Sequence, residues 1–241
     1  MKHLKTIMSV LAVVFAVSCA KTSSVGSGQV NFSVTNNQQI ADMTKSDVSD
    51  YTTMPSAADF NITVTGADYT WAGKISDWDP TALLKAGNYS VEAYYGSLEE
   101  EGFDKPYFIG TQSFVVVDEQ VTEVSVPVKL GNTVVKMEYT DNFRNYYKDY
   151  SFKFTRGTKT IATFAKDETR AAFIDGWKVT LSGTYASEIK SYSFTKDYSD
   201  LDPATAYTFK FDVNNIGGAT LTITFKEGTQ TVELGDKELN D

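Results

Sequence analysis

Apolar and polar residues alternate in short runs over most of this chain, and this period of two constrains the fold more than any other feature. Alternation is typical of an extended strand with one buried face. The runs in the first half are residues 30–34; Phe60, Ile62 and Val64; Tyr89, Val91, Ala93 and Tyr95; Phe114 and Val116; and Val124, Val126, Val128 and Leu130. We expect these runs to be the strands of a first domain.

The alternation stops at the turn residues Gly131 and Asn132 and then restarts, which indicates a domain boundary after residue 130. The later runs are Val135, Met137 and Tyr139; Tyr150, Phe152 and Phe154; Trp177, Val179 and Leu181; Tyr192 and Phe194; Tyr207, Phe209, Phe211 and Val213; and Leu221, Ile223 and Phe225. Residues 215–218 have the composition of a hairpin turn between the last two runs. Many short strands at regular spacing predict an all-β fold of two antiparallel immunoglobulin-like β-sandwich domains, residues 28–130 and 131–241.

One segment departs from the period of two. Asp141 is a good N-cap residue, and the aromatic residues after it are spaced three, four and seven apart. These aromatic residues are Phe143, Tyr146, Tyr147 and Tyr150. The spacing predicts a short helix that closes one end of the second sandwich with these four side chains on one face.

The N-terminus has the layout of a bacterial lipoprotein signal. Lys2 and Lys5 precede an apolar run over residues 7–17, and Cys19, the single cysteine of the chain, follows. This run is too short for a transmembrane helix, which needs about 20 apolar residues. We therefore expect residues 1–18 to be a signal peptide, Cys19 to be lipidated, and residues 19–27 to be a flexible tether. A secretory peptide cleaved without lipidation is the alternative.

Composition excludes several classes of function. His3, the single histidine, lies in the predicted signal peptide, so the mature chain has no imidazole for a catalytic triad or a zinc site. Removing residues 1–18 leaves 223 residues and changes the formal charge from −9 to about −11. Nucleic acid is therefore not an expected partner, because phosphate binding needs a basic face. The chemistry that remains open to an enzyme is that of paired carboxylates or of calcium.

Several motifs resemble a known family. They are Ile75-Ser76-Asp77-Trp78, residues 84–93, residues 106–110, residues 114–116, residues 124–132 and Asp141-Asn142-Phe143. The chain resembles the Bacteroidota lipoproteins grouped as domain of unknown function 4493, which are similar in layout to fimbrillin-like (Mfa-like) cell-adhesion lipoproteins. The resemblance implies two β-sandwiches on a lipid anchor in the outer membrane, a non-catalytic role in adhesion or pilus-like assembly, and no catalytic residues to carry over. We expect no cofactor. Ala20 and Lys21 follow Cys19 where surface-exported members often carry acidic residues, so surface exposure is left open.

Two acidic groups are candidate binding sites. Glu99, Glu100, Glu101 and Asp104 could hold a cation or a basic partner, but their Gly-containing context favours a solvated hairpin tip. Asp197, Asp200 and Asp202 could ligate calcium, but they lack the glycine and the distal glutamate of an EF-hand loop. The segment from Asp202 to Ala204 is more typical of a turn. We therefore predict no metal site.

The first domain also concentrates aromatic residues, namely Trp71, Trp78, Tyr94, Tyr95, Phe103 and Tyr107. Exposed rings on a sandwich can stack on sugars, whereas aromatic residues alternating along strands usually pack into cores. Trp71, Trp78, Tyr94 and Tyr107 are therefore the candidate residues of an alternative function, a glycan-binding surface lipoprotein.

A third feature concerns assembly. Residues 220–225 alternate cleanly near the C-terminus and could be donated to a neighbouring subunit, as edge strands are in pili, or could complete their own sheet. The expected partners are thus the membrane through the lipid anchor, and either pilin-like subunits or surface glycans.

Overall fold

The computed structural model describes residues 26–36, 48–213, 219–225 and 228–234, and for the last two segments it describes the backbone alone. The strands are β1 (Ser27–Asn36), β2 (Asn61–Gly66), β3 (Tyr69–Lys74), β4 (Leu84–Lys85), β5 (Gly87–Tyr95), β6 (Gly102–Phe103), β7 (Phe108–Val116), β8 (Val121–Leu130), β9 (Thr133–Tyr139), β10 (Asp149–Arg156), β11 (Lys159–Ala165), β12 (Ala172–Ile174), β13 (Trp177–Ala186), β14 (Ser191–Asp200), β15 (Ala206–Val213), β16 (Ala219–Phe225) and β17 (Gly228–Leu234). One α-helix, α1 (Asp141–Tyr146), lies between β9 and β10. The predicted all-β fold is confirmed.

The strands form three sheets. A seven-stranded sheet has the order β3-β2-β5-β7-β8-β1-β4, a four-stranded sheet β11-β10-β13-β14, and a six-stranded sheet β17-β16-β15-β9-β12-β6. Two neighbouring pairs depart from the predicted antiparallel arrangement, because β1 runs parallel to β8 and β9 runs parallel to β15. The predicted turn over residues 215–218 lies outside the described residues, but β15 and β16, the strands on either side of it, do pair antiparallel.

The buried side chains form two hydrophobic cores. The first core lies between the strands of residues 30–130, and the second is dominated by aromatic rings from β10, β11 and β15, such as Phe152, Phe164 and Phe211. Phe152 and Phe211 stack with ring centroids 3.9 Å apart. Alternation explains most of both cores, because long strands such as β5 and β8 turn every second side chain inward.

The strands at the junction belong to both cores. Val134, Phe173 and Ala206 pack into the first core, whereas their neighbours Val135 and Ala172 pack into the second. Strand β6, from the first half of the chain, extends the six-stranded sheet by pairing with β12. A division after residue 130 therefore stays a prediction, because strands from both halves of the chain build the junction.

Helix α1 closes the second core in a manner that differs from the prediction. Its N-cap is Thr140 and not Asp141, because the Thr140 hydroxyl accepts a hydrogen bond from the backbone N–H of Phe143 at 3.2 Å. Phe143 and Tyr147 are buried, but Tyr146 is exposed. Tyr150 lies in β10, so the four aromatic residues do not share one helix face.

Candidate functional site

The two tryptophans predicted to bind glycans lie on the core side of the first sheet. Trp78 is buried, and its indole N–H donates to the carbonyl of Val30 at 2.8 Å. Trp71 stands opposite the buried Val64 in the β2–β3 pair and meets Trp78 edge to face, with ring centroids 4.9 Å apart. These indoles seal the first core, as the packing alternative required.

The two tyrosines of the predicted set lie on the opposite, outer face. Tyr94 follows the buried Ala93 in β5 and therefore points away from the core. Tyr107 precedes by two residues Ile109, the β7 partner of Tyr94, and therefore lies on the same face. Burial, together with the nearby Glu92 and Tyr94, raises the pKa of the Tyr107 hydroxyl. The four predicted residues therefore do not form one stacking face, and only Tyr94 and Tyr107 come together.

In the acidic group at residues 99–104, Glu99, Glu100 and Asp104 are exposed, as predicted for a solvated tip, and Glu101 alone departs from that prediction. The side chain of Glu101 is fully buried, and its carboxylate meets the guanidinium of Arg156 at 2.6 Å and the ammonium of Lys159 at 3.5 Å. It also accepts a hydrogen bond from the backbone N–H of Asp175 at 2.9 Å. Arg156 in turn donates to the carbonyl oxygens of Asp175 and Trp177. We call Glu101, Arg156, Lys159 and Asp175 the junction clamp.

The residues that follow Glu101 extend the same contact. Gly102 has a φ of +129°, and a Cβ there would lie 3.1 Å from the carbonyl oxygen of Ile161, so this position favours glycine. Phe103 packs edge to face on Phe164 of the second core, at 5.1 Å between ring centroids. Arg170 lies over the Phe103 ring at 4.6 Å. Its guanidinium pairs with Asp104 at 2.7 Å.

The acidic residues near β14 do not converge. The Asp197 carboxylate accepts a hydrogen bond from the Thr180 hydroxyl at 2.6 Å, and the backbone N–H of Asp202 donates to the Tyr207 hydroxyl at 3.1 Å. Among the described residues, no group of three or more His, Cys, Asp or Glu side chains could hold a metal ion. The Asp197 carboxylate and the Asp202 backbone thus take part in local hydrogen bonds.

The long strand β14 ends one side of the four-stranded sheet. Its ten residues pair with β13 along nearly their whole length, and β14 is the last strand in the sheet order of the described residues. Residues 220–225, predicted as a strand for exchange, lie within β16 and pair with β15 on one side and β17 on the other. That segment completes its own sheet, and β17 is the edge.

The family described as "Domain of unknown function (DUF4493)" matches residues 26–237, which is most of the chain. The chain belongs to the DUF4493 family. The resemblance found in the motifs is thus confirmed. No curated protein matches the chain.

Several solved structures are similar to this DUF4493 member at low sequence identity. A "fimbrial assembly protein" from Parabacteroides distasonis has 10% identity and a TM-score of 0.46, covering 87% of this chain and 99% of that one. A "putative cell adhesion protein" from Bacteroides ovatus has 11% identity and a TM-score of 0.45, covering 88% and 100%. "Putative polysaccharide binding proteins (DUF1812)" from Bacteroides thetaiotaomicron have 8% identity and a TM-score of 0.43, covering 86% and 98%.

The predicted lipidation residue, Cys19, lies outside the described residues. Within the described part of this DUF4493 chain, no helix has the length and apolar character needed to cross a bilayer. The membrane anchor therefore stays a prediction from the sequence. Sequence reasoning missed the junction clamp, because Arg156 and Asp175 lie 55 and 74 residues after Glu101 along the chain.

Proposed function

We propose that this DUF4493 protein is a non-catalytic outer-membrane lipoprotein, held by acyl chains on Cys19, that acts in cell-surface adhesion or pilus-like assembly. The observation that carries the proposal is the open edge of β14. This strand leaves one row of backbone donors and acceptors without a neighbouring strand among the described residues. Such an edge binds an extended segment of a partner through main-chain hydrogen bonds.

The composition of β14 suits a partner strand. Half-buried Tyr192, Phe194 and Tyr198 alternate with exposed polar residues such as Ser193, so an added strand could continue both faces. The strand contains no proline, a residue that natural proteins often use to protect an edge. The junction clamp supports the same role, because a rigid body transmits tension from an adhesive contact to the anchor.

A crosslinking experiment tests the edge. A photo-crosslinking residue is placed at Ser193, on the edge strand, or at Ser151 as the control. Ser151 lies in the same cross-strand row as Ser193 and on the same face of the sheet, but two strands, or about 10 Å, away from the edge. We expect crosslinked species of higher mass on intact cells from position 193 and fewer from position 151. Equal yields from the two positions, or none from either, would contradict assembly through β14.

Proline substitutions provide an independent test. Of two adjacent residues in an edge strand, one points its N–H at the neighbouring strand and the other points it outward. One of the variants Thr195→Pro and Lys196→Pro should therefore lose stability through a lost β13–β14 hydrogen bond, and the other should keep its melting temperature. We expect the thermally unaffected variant to lose the crosslinks from position 193.

The anchor and its location have separate tests. Mass spectrometry of the mature chain should find acyl groups on Cys19, and an unacylated N-terminus would refute the anchor. Protease treatment of intact cells should digest the protein if the domains face outward. Resistance on intact cells, with digestion after permeabilisation, would place them on the periplasmic side.

Glycan binding is the second candidate function, and the pairing of Tyr94 with Tyr107 on the outer face is the observation that favours it. Tryptophan fluorescence is a poor probe, because Trp78 is buried and Trp71 packs on it. We expect Tyr94→Ala and Tyr107→Ala each to weaken retention on polysaccharide columns, whereas Tyr146→Ala, which removes an exposed ring elsewhere, should not. Equal retention of all three variants would rule out this face.

A further inference from the structure

Exposed aliphatic side chains gather at one end of the first sheet. Leu83, Val115, Val117 and Val121 have 67%, 53%, 42% and 52% of their surface exposed, and they are four of the seven large hydrophobic residues exposed in the described part of the chain. Single exposed apolar residues are ordinary, but a group on one small surface indicates a binding function. We call these four residues the apolar tip.

Strand pairing brings the members of the apolar tip together. Val117 and Val121 flank the turn between β7 and β8, where the N–H of Gln120 donates to the carbonyl of Val117. Val121 stands opposite Gln29 in β1, and Leu84 stands opposite the adjacent Gly28. Leu83 therefore lies in the row next to Gln29.

The side chains of the apolar tip point away from the first core. Leu84, which follows Leu83, is buried, and so is Val116, which lies between Val115 and Val117. Since successive side chains of a strand alternate, the residues on either side of a buried one face outward. The tip is thus a small apolar surface on the outside of the molecule and not an extension of the core.

The described chain enters the fold at this same end. The backbone N–H of Ser27 donates to the carboxylate of Asp118 at 2.8 Å, and the N–H of Glu119 donates to the carbonyl of Ser27 at 2.9 Å. Gly26 is held as well, because its carbonyl accepts a hydrogen bond from the N–H of Ala86 at 2.6 Å. The entry point of the chain is therefore fixed beside the β7–β8 turn.

The length of the tether limits how far this end can lie from the anchor. Seven residue steps separate Cys19 from Gly26, and an extended chain of that length spans at most about 25 Å. Strand β8 alone runs about 30 Å from Val121 to Leu130. The tether therefore fixes the apolar tip within reach of a membrane holding Cys19.

We propose that the apolar tip rests in the headgroup region of the membrane into which the acyl chains of Cys19 insert. The inference rests on the proposed lipid anchor. Four aliphatic side chains bind a bilayer weakly by themselves, but a short tether raises their effective concentration at the surface. The contact would orient the body, with the first sheet at the membrane and the β13–β14 hairpin turn distant from it.

The charges around the tip specify an apolar contact and not an electrostatic one. The turn carries Asp118 and Glu119, and Lys85 is the exposed cation of β4. This is not the cluster of four to eight cations that binds anionic lipid. We therefore expect the contact to persist at high salt.

Fluorescence quenching by a lipid surface tests the proposal. The acylated mature chain carries the substitution Gln120→Cys, which places a thiol at the tip. This thiol can be labelled with a fluorophore because Cys19 is blocked. The labelled chain is bound to phosphatidylethanolamine–phosphatidylglycerol vesicles that carry a nitroxide on the headgroup. We expect about twofold or greater quenching at position 120, because an interfacial apolar face inserts about 5–10 Å into the headgroup region, where the nitroxide lies. The matched probe is Ile189→Cys, at the turn between β13 and β14, and it should not be quenched.

A second variant separates the tip from the tether. Val117→Ser combined with Val121→Ser should stay on the vesicles through the acyl chains but lose most of the quenching at position 120. Equal quenching at positions 120 and 189 would overturn the proposal. Self-quenching at position 120 without nitroxide quenching would also overturn it, because it indicates that a second copy of the chain lies at the tip. A chain that is unacylated and leaves the vesicles refutes the anchor instead, and the inference with it.

Discussion

At the scale of single residues, two tyrosine hydroxyls at the second core have no hydrogen-bond partner in the described part of the chain. The Tyr139 ring is buried among Phe143, Phe152 and Phe211, and within the described residues neither its hydroxyl nor that of Tyr198 has a hydrogen-bond partner. Burial raises the pKa of both hydroxyls, because the ionised form cannot be solvated there. An unpaired buried polar group costs about 1–3 kcal/mol.

Tyr139→Phe tests this cost. We expect the free energy of unfolding at neutral pH to stay unchanged or to rise by about 1 kcal/mol, because the variant removes an unpaired hydroxyl and keeps the ring. Urea unfolding measures it, with Tyr146→Phe, an exposed tyrosine, as the control. A loss of more than about 1 kcal/mol would mean that the hydroxyl has a partner, such as a buried water molecule.

The same two tyrosines predict a loss of stability in alkali. Their pKa values are higher in the folded chain than the unfolded value of 10.0, so the unfolded state releases protons first. The stability is fully present below about pH 10 and falls as the pH rises above it. Thermal unfolding between pH 8 and pH 11 should show this decline, and Tyr139→Phe should make it shallower. Identical slopes for the variant and the parent protein would contradict the assignment.

At the scale of secondary-structure elements, helix α1 depends on its cap. The Thr140 hydroxyl accepts from the N–H of Phe143 and also donates to the carboxylate of Asp212 at 2.6 Å, which ties the helix to β15. Thr140→Ala should cost about 1–2 kcal/mol of unfolding free energy, and Thr140→Ser should cost less. Asp141→Ala should cost under about 1 kcal/mol, since it loses only an interaction with the helix dipole. The reverse order would mean that Asp141 is the cap.

The cap also illustrates what the sequence could and could not specify. Thr140 and Asp141 are both good N-cap residues, and the added contact of Thr140 with Asp212, 72 residues away along the chain, cannot be read from the local sequence. Long strands with one buried face, such as β5 and β8, are evident from their alternation. Strand β12 is not, because all three of its residues are buried between the two cores and no alternation remains.

For the candidate sites too, the sequence could predict some placements and not others. The alternation of β5 could have placed Tyr94 on the outer face, but nothing local assigns Trp71 and Trp78 to the core side, since β3 was not predicted as a strand. The burial of Glu101 depends on Arg156 and Asp175, which the fold brings from the second half of the chain. The sequence of an acidic run does not show whether one of its residues is buried.

At the scale of the whole molecule, the junction clamp couples the two cores. Glu101 belongs to the segment between β5 and β6, whereas its partners Arg156 and Asp175 belong to the half of the chain that forms the second core. The pairing of β6 with β12, and the packing of Val134 and Phe173 into the first core, add to the contact. We therefore expect the described body to unfold as one cooperative unit.

Glu101→Gln should break that cooperativity. The variant leaves the guanidinium of Arg156 beside a neutral group, and loss of one partner of a buried ion pair costs about 3–5 kcal/mol. Arg156 is 30% exposed, which lowers our expectation to about 2 kcal/mol. Hydrogen exchange followed by mass spectrometry should show residues 60–130 and 149–186 exchanging together in the parent protein and separately in the variant.

The control for this experiment is the neighbouring glutamate. Glu100 pairs with Lys105 at 3.2 Å, but both side chains are more than half exposed, and solvent screens such a pair to about 0–1 kcal/mol. Glu100→Gln should therefore leave both the unfolding free energy and the joint exchange unchanged. If Glu101→Gln behaves in the same way as Glu100→Gln, the packing of Val134, Phe173 and Ala206 holds the two cores together without the clamp.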